Sequence, residues 1–444
     1  MRAGQPGWTR RTALGAGSVM VAAMATQASA QLTVTIDRGT IRALPIAVSP
    51  FASADPEAAA LGVQVAEVVA ADLDGSGLFR TIPSTAYLQT PEDLQANGPR
   101  YADWRTINAE ALVMGTASLA DTGTLVVEFR LFDVLSGVEL RGLRFTAPTA
   151  DWRRIAHKVA DDVYARITGE TGYFDTRIVY VGQTGPATQR VKRLAIMDQD
   201  GANNRFLTSG ANLVLTPRFA PDGQTIAFLS YAATQPQVRL IQADGTNERV
   251  VGSFPGMTFS PRFSPDGRQL AMTIASDGNA DLILVDLASR GQRRLTNGPG
   301  IDTSPSFSPD GRRLVFNSDR GGSPQLYVMD LASGRTDRIS FGQGRYGSPA
   351  WSPRGGLIAY VNQRGADFHV GVMRPDGGDE RLLTRSYLDE GPRFAPNGRV
   401  IVFERADPSR GRSRLNTIDV TGYNIRELPT PVDASDPDWS PLRR

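Results

Sequence analysis

The chain has 444 residues, with 48 Lys and Arg against 46 Asp and Glu, two histidines and no cysteine. The missing cysteine excludes disulfides and thiolate metal sites and leaves stability to the apolar core. Lys158 and Lys192 are the only lysines, and the arginines are dispersed rather than run together, so no nucleic-acid footprint follows from the charge.

Arg10 and Arg11 precede an apolar, small-residue stretch over 13–25, and Ala28-Ser29-Ala30 has the small-x-small form read by signal peptidases. Residues 1–30 are therefore expected to be a cleaved export leader. Thr9-Arg10-Arg11-Thr12-Ala13-Leu14 resembles a twin-arginine signal, and the ordinary secretory route stays open beside it. The apolar run is shorter than the ~20 residues that span a bilayer. Removing the leader takes away Arg2, Arg10 and Arg11 and no acid, leaving 45 basic against 46 acidic residues.

Over 31–42, Leu32, Val34 and Ile36 alternate with Thr33, Thr35 and Asp37, the pattern of a one-faced strand. Such a segment is either the first strand of the following domain or an extended peptide that adds to a partner's sheet edge. Over 43–170 the grammar is mixed. Asp55-Pro56-Glu57 starts a helix with Leu61, Val65, Val68 and Val69 on one face to about Asp72, and Asp74-Gly75-Ser76-Gly77 ends it. Strands are predicted near 111–118 and 124–134, the second joined through Ser136-Gly137 to 138–147 as a hairpin. A second helix runs over 151–168 with Ile155, Val159, Val163 and Ile167 on its apolar stripe and Gly169 as its stop. His157 lies about 200° round from that stripe and is expected in solvent. This is a small α/β domain, followed by a linker over 171–176.

The rest of the chain repeats one phrase: Pro217-Arg-Phe-Ala-Pro-Asp-Gly223, Pro261-Arg-Phe-Ser-Pro-Asp-Gly267, Pro305-Ser-Phe-Ser-Pro-Asp-Gly311, Pro349-Ala-Trp-Ser-Pro-Arg-Gly355, Pro392-Arg-Phe-Ala-Pro-Asn-Gly398 and Pro437-Asp-Trp-Ser-Pro441. The leading prolines are 44, 44, 44, 43 and 45 positions apart, close to the ~40–45 residues of a four-stranded propeller blade. Short alternating runs and Gly-bearing turns follow each phrase. The sixth phrase has no strands after it, while the runs at 177–181, 193–197 and 205–208 have no phrase before them. Joining the two makes a sixth blade from both ends of the region and closes the ring. The fold class is mainly β: a six-bladed β-propeller over 177–444 preceded by a small α/β domain.

In a propeller, equivalent loops emerge on one face. The segments before the phrases, 212–216, 256–260, 300–304, 345–348, 387–391 and 432–436, are expected to ring one mouth of the channel as divergent loops on a constant scaffold, the form of a recognition surface. Met257, Ser260, Thr303, Tyr346 and Leu388 are the candidate contacts, with Phe259 and Tyr387 as further aromatics at that mouth. The phrase itself reads as turn chemistry. Asp222, Asp266 and Asp310 do not make a metal ring, because Arg354, Asn397 and Leu442 break the series. Asp72-Leu73-Asp74-Gly75 opens like a calcium loop, but its twelfth position is Pro83. No metal, cofactor or catalytic residue is assigned. No G-x-S-x-G elbow occurs, and His369, in a propeller strand, reads as structural. Paired carboxylates in the channel, or a carbohydrate site there, remain the alternative function.

The whole mature chain resembles the TolB family of the Tol-Pal system. Val34-Thr35-Ile36-Asp37-Arg38-Gly39 is similar to that family's N-terminal peptide, Ala71-Asp72-Leu73-Asp74-Gly75-Ser76-Gly77-Leu78-Phe79 to its first helix end, and Gly172-Tyr173-Phe174-Asp175-Thr176-Arg177-Ile178-Val179-Tyr180-Val181 to its domain junction. The resemblance implies a non-catalytic periplasmic protein that binds the lipoprotein Pal on the propeller face near the channel. It also implies a TolA-binding peptide that includes Leu32, Val34, Ile36 and Asp37, and a role in outer-membrane integrity and constriction at division.

Overall fold

The computed structural model describes residues 42–443 apart from 121–122, 233–235, 253, 255, 277 and 410. The expected leader and the peptide residues 31–41 lie outside the described residues. The described chain is a mixed five-stranded sheet with helices, followed by six four-stranded antiparallel sheets.

The first sheet has the order β2-β1-β3-β4-β5. Its strands are β1 (Leu44–Val48), β2 (Phe79–Thr81), β3 (Ala111–Ala120), β4 (Thr124–Asp133) and β5 (Val138–Pro148). β1 pairs in parallel with both neighbours and is buried along its whole length. A strand covered on both faces needs no alternation. That is why the short run Leu-Pro-Ile-Ala-Val carried no periodic signal.

Helix α1 (Pro56–Gly75) begins where Asp55 Oδ1 accepts from the backbone N–H of Glu57 and Ala58 at 2.8 and 2.9 Å, with Pro56 in the first turn. It lies close on the sheet through Gly62, where an added Cβ would stand 2.3 Å from the Phe51 carbonyl oxygen. The short helices α2 (Pro91–Asn97) and α3 (Tyr101–Thr106), unpredicted from sequence, bring Leu94 and Trp104 against Leu112, Met114 and Phe132 on the other face. Helix α4 (Trp152–Thr168) ends at Gly169 in the left-handed conformation and packs against α1.

The six propeller sheets each take their innermost strand from the residues just before a phrase together with the phrase's first three residues. In chain order these strands are Val214–Phe219, Met257–Phe263, Asp302–Phe307, Arg345–Trp351, Asp389–Phe394 and Asp433–Trp439. They begin blades one to six. The last of them pairs with Arg177–Thr184, so the sixth blade is built from both ends, with Ala434 opposite Gly182 and Trp439 opposite Ile178. The apolar cores lie between blades. Val179, Val181, Leu194 and Ile196 of blade six pack with Val214, Phe219, Ile226 and Phe228 of blade one, so the seam is filled like any other.

After the inner strands of blades one to three comes a Pro-Asp-Gly turn, replaced by Pro-Arg-Gly in blade four and Pro-Asn-Gly in blade five. Asp222 accepts from the N–H groups of Gln224 and Thr225 at 2.7 and 2.8 Å, and Asp266 and Asp310 accept from the hydroxyls of Ser264 and Ser308. Those hydroxyls hold the Asp266 and Asp310 carboxyls below the usual range. The aspartates serve the turn.

The α/β domain rests on the face that carries these turns. Asn424 of blade five donates to the Gly75 carbonyl at 2.9 Å, and Arg354 and Arg399, in the turns of blades four and five, reach Glu170 at 3.1 and 3.7 Å. The stretch expected as a linker is buried at this junction: Tyr173, Phe174, Asp175 and Thr176 are all enclosed. Burial pushes the Asp161 carboxyl up to about 7 while it accepts from the N–H groups of Phe174 and Asp175. The Trp439 indole donates to Thr176 Oγ1 at 2.8 Å, tying the seam of the ring to the junction.

His157 is not in solvent; it is 1% exposed. Its Nδ1–H donates to Asp72 Oδ2 at 2.6 Å, and Gln199 of blade six donates to Asp72 Oδ1 at 2.7 Å. The helix periodicity marked the stripe that meets the sheet, but α1 covers a second flank of α4. Burial opposes the charged ring, yet the Asp72 carboxylate outweighs it, helped by Asp200 and Asp198, and His157 titrates at about 9. Arg153 pairs with Asp200 beside it.

Two outcomes follow from this packing. Trp439→Ala removes a buried aromatic from the seam and is expected to cost about 3–5 kcal/mol, measured by denaturant unfolding. A native pKa above the unfolded value of 6.5 means that the stabilisation by His157 is complete below pH 6.5 and is lost as pH rises through about 9. The thermal midpoint should fall over that window, and His157→Gln should lower the midpoint at pH 6 and flatten the slope.

Candidate functional site

The phrase register sorts the inner strands by position. Three residues before each leading proline stand Val214, Thr258, Asp302, Tyr346, Asp389 and Ala434, and all six are buried. One residue before it stand Thr216, Ser260, Ser304, Ser348, Gly391 and Asp436, all with φ between +48° and +60° and all half-buried. The strand register shifts here in every blade. Proline lacks an N–H for the ladder, so a bulge is where a strand tolerates it. For a non-glycine residue, the left-handed conformation costs roughly 1–2 kcal/mol. Five of the six blades bear that strain, and the positions concerned line the channel.

Four residues before the proline lies the rim of the distal mouth, away from the α/β domain. Leu213, Met257 and Ile301 are exposed there and Leu388 is half-buried, in blades one, two, three and five. Arg345 and Asp433 take the position in blades four and six. Tyr231, Phe341 and Tyr387, in adjoining loops on this face, are also exposed, Phe341 at 73%. Apolar side chains gathered this way on one face mark an interaction surface.

The segments expected as loops are thus mostly the first residues of strands. The structure brings Met257, Ser260, Thr303 and Leu388 to one mouth; Thr303 Oγ1 donates to Asn317 Oδ1 at 2.8 Å, and the Leu388 carbonyl accepts from Ala406 N–H at 2.9 Å. Tyr346 does not reach the mouth. It occupies the repeat position that points into the core, is 1% exposed, packs on Tyr360 at 5.3 Å between centroids, and donates to Glu380 Oε1 at 2.6 Å. Aligning the phrases by their prolines does not reveal this, since the position holds Val, Thr and Ala in three of the other blades but Asp302 and Asp389 in the remaining two. Leu213 and Ile301 lie within the expected segments but are not among the candidate contacts, and Tyr231 and Phe341 lie outside those segments.

Ion pairs brace this rim. Arg320 binds both carboxylate oxygens of Asp302 at 3.0 and 2.9 Å, and Arg405 binds those of Asp389 at 2.7 and 2.8 Å. Deeper in, burial pushes the Glu404 carboxyl up to about 7; it accepts from Ser413 at 2.7 Å and stands near Asp436. Glu390 is also raised by burial and by Asp436. His369 is buried with Nδ1 on the Thr384 carbonyl at 3.0 Å.

Two family profiles match this arrangement: the TolB beta propeller domain over residues 164–443 and the TolB amino-terminal domain over residues 32–140. The chain belongs to the TolB family. It is 60% identical over 420 residues to the Tol-Pal system protein TolB of Paramagnetospirillum magneticum, covering 94% of each chain. It is 62% identical over 428 residues to the protein of that name from Rhizorhabdus wittichii, covering 95% of this chain and 97% of the other. The crystal structure of TolB from Acinetobacter baumannii superposes with a TM-score of 0.80 at 30% identity, over 93% of this chain and all of that one. These likenesses span both the sheet-and-helix domain and the ring, and make the chain a Tol-Pal component.

Proposed function

We propose that the protein is a periplasmic, non-catalytic adaptor of the Tol-Pal system. Residues 1–30 are removed on export. The distal mouth of the propeller binds the lipoprotein Pal, and residues 31–42 offer Leu32, Val34, Ile36 and Asp37 to TolA as an extended strand. Through the two contacts the protein supports outer-membrane integrity and constriction at division. The observation that carries the docking part is the rim of exposed Leu213, Met257 and Ile301 with half-buried Leu388 on a braced ring. Apolar anchors at the centre of a surface, held by a scaffold that does not need ordering, are what a protein partner uses for most of its binding energy. Both histidines are committed to structural contacts, which supports binding rather than acid–base chemistry.

Leu213→Glu combined with Met257→Glu should weaken binding of the soluble domain of Pal by about tenfold or more in a calorimetric titration, with the thermal midpoint unchanged. Full affinity in the double variant would remove the distal mouth from the interface. A protein beginning at Ala43 should fold and retain Pal while losing TolA in the same assay. Undiminished TolA binding would place that contact elsewhere.

A further inference from the structure

At the other end of the channel, the residue just after each leading proline forms a second ring: Arg218, Arg262, Ser306, Ala350, Arg393 and Asp438. The ring itself holds three guanidinium groups and one carboxylate, and the Asp436 carboxylate, two residues earlier on the same strand as Asp438, also acts on Arg218 and Arg393. In the order of the blades, Asp438 stands between Arg393 and Arg218, and serves both. It accepts the Phe219 N–H at 2.8 Å through Oδ2, and its Oδ1 lies 3.6 Å from Arg393 Nε. Among the described residues no acid pairs with Arg262. Each arginine turns Nη1 back onto the carbonyl of its own proline, so the guanidinium groups are held in one repeated posture.

Arg218 is 5% exposed and Arg393 7%, and the Nε of each has no hydrogen-bond partner. A buried cationic donor left unsatisfied costs more than an ordinary hydrogen bond gains. Burial draws the Arg218 guanidinium down, and burial with the like charge of Arg218 draws Arg393 down to about 9. Across the ring from Asp438 and Arg218, Ser306 and Ala350 are too small to fill the space, and a cavity of about 430 Å³ remains, walled by the aromatic residues and prolines of the phrases. It opens on the proximal face, where Pro309 and Pro353 are exposed.

We propose that this proximal mouth is an oxyanion site, in which a carboxylate or phosphate group enters the space beside Ser306 and Ala350 and accepts from the guanidinium groups of Arg218, Arg262 and Arg393. Guanidinium forks suit the paired oxygens of such groups. The site lies at the opposite end of the channel from the apolar rim and its acidic residues, so its ligand is distinct from whatever covers that rim.

Calorimetric melting of the intact protein in sodium phosphate, sodium acetate and sodium chloride at matched ionic strength tests this. A saturable rise of the melting temperature with phosphate or acetate is expected, by preferential binding to the folded state. A response to phosphate alone assigns a tetrahedral ligand, and one to acetate a carboxylate. Arg262→Gln, at a half-buried position, should weaken the response about tenfold, and Asp438→Asn, which removes the stronger of the two carboxylates acting on Arg218 and Arg393 and keeps an acceptor for Phe219, should strengthen it. A rise that follows ionic strength whatever the anion, or one that neither variant alters, would overturn the site.

Discussion

The pairing of Asp433–Trp439 with Arg177–Thr184 is the contact on which the rest of the molecule depends. A propeller ring is held shut where one blade takes strands from both ends of the repeat region, and here that sheet joins Arg177 to Ser440, 263 positions apart. The Arg177 N–H donates to Ser440 Oγ at 2.9 Å, and the core behind this seam is continuous with that of blade one. The channel, its two mouths and the platform for the α/β domain all presuppose that closure.

Within the ring, one local device recurs six times. A residue in the left-handed region precedes a proline, the ladder shifts register, and the strand re-forms beyond it. The bulge sets which side chains enter the core and which look into the channel. A scaffold that repeats the device in every blade can then vary single positions for different ends: apolar residues at the distal rim, arginines at the proximal ring. The channel is therefore polar in sense, with Glu390, Glu404 and Asp436 toward one end and Arg218, Arg262 and Arg393 toward the other.

The junction between the domains is a packed core with a buried charge pair in it. His157 of α4, Asp72 of α1 and Gln199 of blade six meet there, with Tyr173 and Trp439 beside them. A buried pair of this kind contributes less to stability than its geometry suggests, because both charges give up water, but removing one partner leaves the other exposed to that full penalty. Such a junction resists sliding and fixes the orientation of the domain on blades four to six.

Much of the fold was legible in the chain. Six phrases and one orphan set of strands determined the number of blades and the composite sixth, since each blade is specified by turn residues and alternation within about 44 positions. Helix ends were equally local: Asp55 and Pro56 start α1, and Gly169 stops α4. What tertiary structure decided were the matters that depend on distant partners. β1 lies inside its sheet because two strands flank it, His157 is buried because Asp72 arrives from 85 residues away, and Tyr346 points inward because a neighbouring blade packs over it. The arginine ring likewise exists only once separate blades set their equivalent positions around one axis. Periodicity and turn chemistry are properties of neighbouring residues and can be read along the chain, whereas burial and charge pairing belong to residues that only the closed ring makes neighbours.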